Sequence, residues 1–270
     1  MVSRLAETFS ELERRGSCAY IPYICAGDPD LNFTAELVRT LDKSGADIFE
    51  IGLPFSDPIA DGPVIQAAMK RSLAAGFRTK KVFELISDLR KSSVSKPFVV
   101  MSYFNPIFKY GVERFCESLS SSGGDALLVV DLPPEESQCL RDHCRNAGLD
   151  IIRLITPTTE ESRLDYLLSD ASGYVYAVSV AGTTGQRDNV HSNVPSLIEK
   201  IRGKTDLPIA IGFGISRPEH VRLAVSMGSS GVIEGSQLAS MYSEDLDDRD
   251  RALRNISEHA ESMKSSTKSK

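Results

Sequence analysis

The sequence predicts a single (β/α)8 barrel, the TIM-barrel architecture, and two observations carry that prediction. Eight short apolar runs alternate with longer amphipathic segments, mostly at intervals of roughly 25 to 30 residues. The runs are apolar on both faces, which is typical of buried parallel strands. The composition, 41% hydrophobic and 25% charged in a chain of 270 residues, fits one α/β domain of ordinary soluble type. A doubly wound parallel sheet is the alternative.

The elements follow one another in a regular order along the chain. Strands are predicted at residues 19–24, 47–52, 97–103, 126–131, 150–155, 174–180, 207–213 and 231–235. Helical periodicity fills the intervals, most clearly at residues 32–45, 82–92 and 218–228. The longest interval, between the second and third strands, contains a Pro-rich loop and an additional short helix.

Both ends of the chain lie outside this repeat. Leu5, Phe9 and Leu12 share one face of a predicted N-terminal helix, and we expect that face to pack against the barrel floor. The barrel domain is predicted to span residues 1–262. Residues 263–270 are rich in Ser and Lys, so we expect a disordered tail there.

Charge and cysteine content exclude several classes of protein. The net charge is −6 and the isoelectric point is near 5.4, with no basic stripe, so nucleic acid is not expected as a partner. No apolar stretch approaches the roughly 18 residues of a membrane span, and the first residues lack the apolar core of a signal peptide. The five cysteines are odd in number and show no paired spacing, which favours a reducing compartment. We therefore expect the protein in the cytoplasm, with no membrane contact.

One segment raises the question of a metal site. Cys139 and His143 lie one helical turn apart, but structural zinc needs four converging ligands and no second pair is nearby. The remaining histidines, His191, His220 and His259, show no metal-ligand spacing either. No metal is therefore expected.

Two carboxylates mark the candidate active site. Glu50 stands inside the apolar run "DIFEIG", where folding removes water from its carboxylate at a considerable cost. Asp61 follows on the long loop "LPFSDPIADGP". Active sites of (β/α)8 barrels form from strand ends and the loops after them, so both acids can face one cavity. A desolvated Glu50 has a raised pKa and can carry a proton.

Each acid also has a purely structural interpretation. Glu50 could pair with a Lys or Arg at the strand end, although no basic residue lies close to it in sequence. Asp61 could cap the next helix, because "DGP" precedes that helix and Pro63 suits its first turn.

Three glycine-bearing loops follow the sixth, seventh and eighth strands. They are "AGTTGQ" (181–186), "GFGIS" (212–216) and "EGSQ" (234–237). Glycines let backbone N–H groups approach a ligand closely, and barrels commonly bind phosphate after strands 7 and 8. A single turn of this kind is weak evidence, but three in succession predict a phosphorylated small-molecule substrate.

Several catalytic groups are missing from the predicted strand ends. No lysine lies within any predicted strand from the second onward, which disfavours a Schiff-base aldolase. The scattered histidines disfavour a metal-dependent enzyme. No Gly-x-Gly-x-x-Gly motif follows the first strand, so a nucleotide cofactor is unsupported. What remains is a cofactor-free acid–base lyase or isomerase acting on a ligand that resembles a sugar phosphate.

Longer motifs point to a known family. They are "FEIGLPFSDPIADGPVIQ", "MSYFNPIFKYG", "DLPPEE", "AGTTG", "GFGIS" and "EGSQLA". In this order and spacing, from about Leu5 to Met241, the sequence resembles the tryptophan synthase alpha chain. The resemblance implies a (β/α)8 barrel that cleaves indole-3-glycerol phosphate to indole and glyceraldehyde 3-phosphate, with no cofactor in this chain.

The resemblance also assigns residues to the site. The catalytic glutamate and aspartate of the family match Glu50 and Asp61. The family's phosphate-binding positions match Gly185, Gly214, Gly235 and Ser236. Its indole-pocket positions match Tyr23, Ile65, Met101, Leu128, Tyr176 and Phe213. A residue of the family's mobile loop after the sixth strand matches Thr184.

The two acids suit the chemistry that this cleavage requires. Indole C3 must accept a proton so that the ring leaves in its neutral form, and the ring nitrogen carries positive charge meanwhile. An ionised Asp61 would accept a hydrogen bond from the indole N–H and stabilise that charge. Glu50 would deprotonate the chain hydroxyl and serve C3, which requires a carboxyl that titrates near neutrality.

The resemblance implies a partner as well. Family members dock onto a beta chain, in an α2β2 tetramer, and the beta chain uses pyridoxal phosphate to join indole to serine. Indole passes between the two chains through a tunnel. The interface would form from the loops at residues 54–61, 103–108 and 131–136. Asp57 would approach Thr184 when the site closes on substrate.

Two residues depart from the family pattern. Phe49 stands where an aliphatic residue usually precedes the glutamate, and we expect it to tighten the floor of the site. Glu234 stands beside the phosphate glycine, where an uncharged residue is common. We expect strand alternation to turn its carboxylate away from the cavity.

Two other functions stay open at this point. A free-standing indole-3-glycerol phosphate lyase would release indole as its product without a beta chain. A non-catalytic subunit would only activate a beta chain, although the presence of both Glu50 and Asp61 speaks against it.

Overall fold

Eight parallel strands form a closed barrel in the computed structural model, which describes residues 3–178, 194–212 and 214–268. The strands are β1 (Ala19–Cys25), β2 (Phe49–Gly52), β3 (Phe98–Ser102), β4 (Ala126–Val129), β5 (Asp150–Ile155), β6 (Val175–Val178), β7 (Ile209–Gly212) and β8 (Gly231–Glu234). They pair in sequence order, and β8 closes the barrel against β1. The (β/α)8 prediction is confirmed, and the doubly wound alternative is wrong.

Helices surround the barrel. The described helices are α1 (Arg4–Arg14), α2 (Leu31–Lys43), α3 (Pro63–Ala74), α4 (Lys80–Lys91), α5 (Phe104–Tyr110), α6 (Val112–Ser122), α7 (Gln138–Ala147), α8 (Glu161–Leu168), α9 (Val194–Arg202), α10 (Pro218–Ser226), α11 (Ser236–Ser243) and α12 (Arg249–Ser265). A 3-10 turn at Pro134–Glu136 precedes α7. The long interval between β2 and β3 holds α3 and α4, so the additional helix predicted there is present.

Alternation along the strands separates two apolar layers. Phe49 lies in the layer between strands and helices, where its ring stacks on that of Phe98 with a centroid distance of 5.6 Å. Ile48 and Val99 belong instead to the layer inside the barrel, and Glu50 shares this inward direction with Ile48. The expectation that Phe49 tightens the floor of the site is therefore wrong, because its side chain faces the helices.

The N-terminal helix closes one end of the barrel. Leu5, Phe9 and Leu12 of α1 are buried in the same cluster as the inward-facing strand residues. The Phe9 ring lies 5.8 Å from the ring of Tyr174, measured between centroids. The predicted packing against the floor is confirmed, and it leaves the opposite, C-terminal end of the barrel for a site.

The C-terminal segment differs from the disordered tail expected at residues 263–270. Helix α12 continues to Ser265, and the side chains of Met263 and Thr267 are fully buried. The Cys18 N–H donates to the Thr267 carbonyl at 2.9 Å. Polar composition alone predicted disorder, but contacts with the start of β1 hold the segment in place. The described domain therefore extends past residue 262, through residue 268.

Three further observations concern membranes, metals and cysteines. None of the described helices combines the length and apolar character needed to cross a membrane. Within the described ranges, no three His, Cys, Asp or Glu side chains are grouped so that they could hold a metal ion. All five cysteines are free thiols, and the Sγ atoms of Cys116 and Cys144 lie 3.7 Å apart.

Candidate active site

A cavity opens at the C-terminal end of the barrel. Its volume is about 560 Å³, part of which is open to solvent. Nine of the residues assigned from the sequence line it together: Tyr23, Glu50, Asp61, Ile65, Met101, Tyr176, Gly214, Gly235 and Ser236. They come from the ends of strands and from the loops and helices that follow, where this fold places its active sites.

Glu50 is held inside the barrel by the register of β2. It pairs with Tyr23 of β1 and Val99 of β3, and its side chain is only 1% exposed. The Tyr174 hydroxyl donates to Glu50 Oε2 at 3.4 Å. Burial raises the pKa of Glu50 to about 8, with the Tyr174 hydrogen bond opposing the rise and the charge of Asp61 adding to it.

These surroundings argue against the interpretation that Glu50 only forms a structural ion pair at the strand end. Among the described residues, no Lys, Arg or His forms an ion pair with its carboxyl group. A carboxyl that titrates near pH 8 can both give and take a proton close to neutrality. The chemistry predicted for this position is therefore available to it.

Asp61 reaches the cavity from the loop that precedes α3. Its carboxyl group is buried, and Oδ2 accepts a hydrogen bond of 2.6 Å from the Tyr103 hydroxyl. The same hydroxyl accepts the Ala60 N–H at 2.9 Å, so it is fixed on both sides. Burial raises the pKa of Asp61, and the hydrogen bond from Tyr103 opposes that rise.

The helix-cap interpretation of Asp61 is wrong. The residue at the cap of α3 is Gly62, and no side chain there forms a capping hydrogen bond. Pro63 occupies the first turn, as the sequence indicated, and its missing N–H needs no partner at that position. The carboxylate of Asp61 is thus directed to Tyr103 and the cavity.

The cavity wall also contains two glycines and the start of a helix. Gly214 has a φ of 71°, a left-handed conformation that favours glycine. Gly235 precedes α11, whose first residue is Ser236. The first N–H groups of a helix lack partners within the helix, and its dipole favours an anion there. Together these features can bind a phosphate dianion.

Glu234 points away from this anion site. Its Oε2 accepts a 2.6 Å hydrogen bond from the Tyr20 hydroxyl, and Oε1 lies 2.7 Å from His259 Nε2 on α12. The residue is fully buried between the barrel and the helices. The prediction that strand alternation would turn it away from the cavity is confirmed.

Four predicted residues do not line the cavity in the described structure. Leu128 is fully buried in the layer inside the barrel, in register with Met101, and that layer covers it. Its assignment to the cavity wall is therefore corrected. Thr184, Gly185 and Phe213 lie outside the described residues.

The sequence did not single out several residues of the site. Ile215, Ser216, Ile233 and Gln237 also line the cavity. Ser216 and Gln237 stand within the two glycine motifs after β7 and β8, so their position in those motifs was a usable signal. The two tyrosines that hold the acids were also missed. Tyr174 stands two residues before Tyr176, on the same face of the strand, and Tyr103 stands in the motif "MSYFNPIFKYG", where it was assigned only to the partner interface.

Comparison with known proteins agrees with this geometry. A family model described as "Tryptophan synthase alpha chain" matches residues 9–268. The tryptophan synthase alpha chain of Carboxydothermus hydrogenoformans is 42% identical over 267 residues, which cover 98% of this chain and 99% of that protein. The corresponding chain of Arabidopsis thaliana is 40% identical over 261 residues, covering 97% of this chain and 94% of that protein.

Solved structures are similar over the whole length. Tryptophan synthase subunit alpha of Legionella pneumophila has a TM-score of 0.90 at 32% identity, with 99% of both chains covered. A structure of Mycobacterium tuberculosis tryptophan synthase has a TM-score of 0.91 at 29% identity, with both chains fully covered. From its sequence, its fold and the residues around its cavity, this chain belongs to the tryptophan synthase alpha chain family.

Proposed function

We propose that this chain cleaves indole-3-glycerol phosphate to indole and glyceraldehyde 3-phosphate, as the carbon–carbon lyase subunit of a tryptophan synthase. The observation that carries the proposal is the pair of buried carboxyl groups, Glu50 and Asp61, in one cavity with the glycine loops that can bind phosphate. Membership of the family supports the same reaction.

Glu50 is the proton carrier in this proposal. With a pKa of about 8 it is mostly protonated near neutrality, so it can donate to indole C3. The carboxylate formed then takes the proton of the hydroxyl on the carbon bonded to the ring. As that oxygen becomes the aldehyde, the carbon–carbon bond breaks and its electron pair returns to the indole. Glu50 ends protonated, as it began.

Asp61 stabilises the charge that forms between these two transfers. Protonation at C3 places positive charge on the ring nitrogen, and a carboxylate that accepts its N–H lowers the energy of that state. The Tyr103 hydroxyl lowers the pKa of Asp61 against the effect of burial, and so favours the ionised form that this role needs. Its hydrogen bond also fixes the direction of the carboxylate.

The remaining walls would bind the two ends of the substrate. Ile65, Met101 and Tyr176 supply apolar surface for the indole ring. Gly214, Gly235 and Ser236 supply backbone and hydroxyl groups for the phosphate. Thr184, Gly185 and Phe213 keep their proposed roles in the closing loop, the phosphate site and the indole pocket. Leu128 would support the pocket from its place beside Met101 on the adjacent strand.

A beta chain is part of this proposal, in an α2β2 tetramer located in the cytoplasm. Two large apolar side chains stand exposed near the cavity mouth, Ile59 at 79% and Phe108 at 66%. Ile59 lies on the loop at residues 54–61 and Phe108 lies on α5, within the segment 103–108 that was also assigned to the interface, and exposed apolar surface is typical of a docking site. The Phe104 N–H donates to Asp131 Oδ1 at 2.6 Å, which joins two of the segments assigned to the interface. Pyridoxal phosphate would belong to the beta chain, and this chain would need no cofactor.

The decisive experiment mixes the pure protein with indole-3-glycerol phosphate and measures indole, with and without a beta chain. We expect release by the chain alone and faster release with the partner. A full rate without any partner effect would favour a free-standing lyase. No release even with the beta chain would favour a non-catalytic subunit and refute the proposal.

A further inference from the structure

Three buried side-chain atoms lack a hydrogen-bond partner among the described residues: Tyr23 Oη, Asp150 Oδ2 and Ser229 Oγ. Asp150 and Ser229 line an open groove at the floor of the barrel, where water can reach the groove. Tyr23 lines the active-site cavity, and its side chain is only 6% exposed. Leaving a buried hydroxyl unpaired costs stability, so such a group in a cavity indicates a ligand that completes it.

The Tyr23 ring of β1 lies between two glycines that belong to the neighbouring strand β2 and to the end of β8. A Cβ added at Gly52 would come within 2.1 Å of Tyr23 Oη, so only glycine leaves room for the hydroxyl there. A Cβ added at Gly235 would lie 3.3 Å from Tyr23 Cδ1. Gly52 follows Glu50 by two residues on the same inward face, and Gly235 precedes α11. The ring therefore extends from the anion site to the acids, with its hydroxyl at the acid side.

We propose that the Tyr23 hydroxyl donates a hydrogen bond to a hydroxyl oxygen of the substrate's glyceryl chain, and so positions that chain between the acids and the phosphate site. This inference rests on the proposed function. With the indole N–H on Asp61 and the phosphate at Gly235, the three-carbon chain has to run alongside the Tyr23 ring. Its hydroxyl groups are the polar atoms that meet this part of the wall.

The protonation state of the phenol suits a donor. Burial raises the pKa of Tyr23 well above its usual value, and the acidic groups of Cys25, Asp61 and Glu50 raise it further. The Tyr23 phenol therefore keeps its proton at every pH at which the enzyme is active. A phenylalanine would supply the same apolar ring, so the hydroxyl is the part of the side chain that this role explains.

The test is Tyr23→Phe, which removes one oxygen atom and keeps the ring. Calorimetric titration would compare the binding of glycerol 3-phosphate, which carries the chain hydroxyls, with that of inorganic phosphate, which does not. We expect glycerol 3-phosphate to bind about 10-fold more weakly and inorganic phosphate to bind unchanged. The kcat/KM for indole-3-glycerol phosphate should fall by about 10-fold or more, with a melting temperature equal to or above that of the native protein.

The matched control is Tyr110→Phe. The Tyr110 hydroxyl lies 3.5 Å from Ser118 Oγ among the outer helices, so its loss should change neither binding nor turnover. A merely structural Tyr23 hydroxyl would change the melting temperature and leave the ratio of the two affinities unaltered.

Three results would overturn the inference: unchanged binding of glycerol 3-phosphate, an equal loss for both ligands, or no binding of glycerol 3-phosphate by the native protein. Failure of the native protein to release indole is a different result, because it refutes the proposed reaction. The two titrations would then still decide whether the Tyr23 hydroxyl contacts the chain of a phosphorylated polyol.

Discussion

Two buried acids at the floor of the barrel and the two acids of the cavity have opposite surroundings. At the N-terminal end, Asp125 accepts hydrogen bonds from Arg4 at 2.5 Å and from Arg90 at 2.7 Å. Asp47, also at that end, pairs with Lys264 at 2.6 Å. Backbone N–H groups complete both sites, since Phe98 donates to Asp125 and Tyr20 donates to Asp47, each at 2.8 Å.

At the C-terminal end, Glu50 and Asp61 have no cationic partner within the described residues. Each accepts a hydrogen bond from one tyrosine hydroxyl, from Tyr174 and from Tyr103 respectively. A cation offsets the cost of burying a carboxylate, whereas a neutral hydroxyl offsets only part of it. The comparison shows that a buried acid stabilises the fold where a cation pairs with it, and that the unpaired acids of the cavity cost stability where chemistry is expected.

The largest expected effect is the loss of turnover when the carboxyl group of Glu50 is removed. Glu50→Gln keeps the size of the side chain and its hydrogen-bonding capacity but removes proton transfer. We expect kcat for indole release to fall by about 1,000-fold, the scale of general acid–base catalysis, while the substrate still binds. Steady-state assays measure the fall in kcat, and equilibrium binding of glycerol 3-phosphate checks that the site still binds its ligand. Turnover close to that of the native protein would refute the role of Glu50.

The same variant tests how much the buried carboxyl group of Glu50 lowers the stability of the folded protein. The carboxyl has a pKa of about 8 in the folded chain against an ordinary value of 4.5, so the unfolded chain loses this proton first as pH rises. Folded-state stability therefore declines between those two pH values and levels off above the higher one. Relative to the native protein, Glu50→Gln should gain about 1–3 kcal/mol at pH 7. Urea unfolding should show this gain shrinking toward pH 4.5.

At the floor, the expected effect is on stability and not on rate. Asp125→Asn leaves the largely buried Arg90 without its carboxylate, and we expect a loss of about 3 kcal/mol in the free energy of unfolding. Activity per folded molecule should be unchanged, because the site lies at the other end of the barrel. Asp88→Asn is the control, since its pair with Lys91 is exposed and should contribute less than about 0.5 kcal/mol. Equal losses of unfolding free energy in the two variants would contradict the claim that the buried pair stabilises the fold more than the exposed pair.

A smaller effect is expected from the tyrosine that supports Asp61. Tyr103→Phe removes the hydrogen bond that lowers the pKa of Asp61, so that pKa should rise further. Since the proposed role of Asp61 requires its ionised form, activity should be lost first at acid pH and recover as pH increases. We expect the acidic limb of the kcat/KM profile to move to higher pH, with a loss of about 10-fold near its midpoint. An unmoved acidic limb would show that Tyr103 only packs.

The smallest effect concerns Glu234, which lies at the C-terminal end but outside the barrel interior. Burial by itself lowers the pKa of His259, but the hydrogen bond and charge of Glu234 outweigh it, so the net pKa is raised. The stability from this pair is therefore complete below the ordinary value of 6.5 and is lost as pH rises through the raised value.

His259→Gln should consequently lower the free energy of unfolding by about 0.5–1 kcal/mol at pH 6, and by less at pH 9. Urea unfolding at the two pH values measures the difference. A loss of unfolding free energy that is larger at pH 9 than at pH 6 would contradict the expected pH dependence. The expected result would show that Glu234, unlike Glu50, is stabilised by a cationic partner.

Local patterns predicted the barrel and its two acids because they depend on near neighbours in sequence. Two-sided apolar runs recur at the spacing of βα units, and Glu50 interrupts one of them. Glycines after β7 and β8 predicted the candidate anion site, because they too are recognised from neighbouring residues. The tail was mispredicted because its order depends on a contact with Cys18, at the other end of the described chain.

The tertiary structure decided how the site is held together. The bond from Tyr103 to Asp61 spans 42 residues, and the bond from Tyr174 to Glu50 spans 124. Tyr23 meets Gly52 and Gly235 only because β1 lies between β2 and β8 in a closed barrel. The sequence by itself determined which residues could carry charge at the strand ends. Their pKa values and partners follow from burial and from contacts across the barrel, because both depend on distances that exist only after closure.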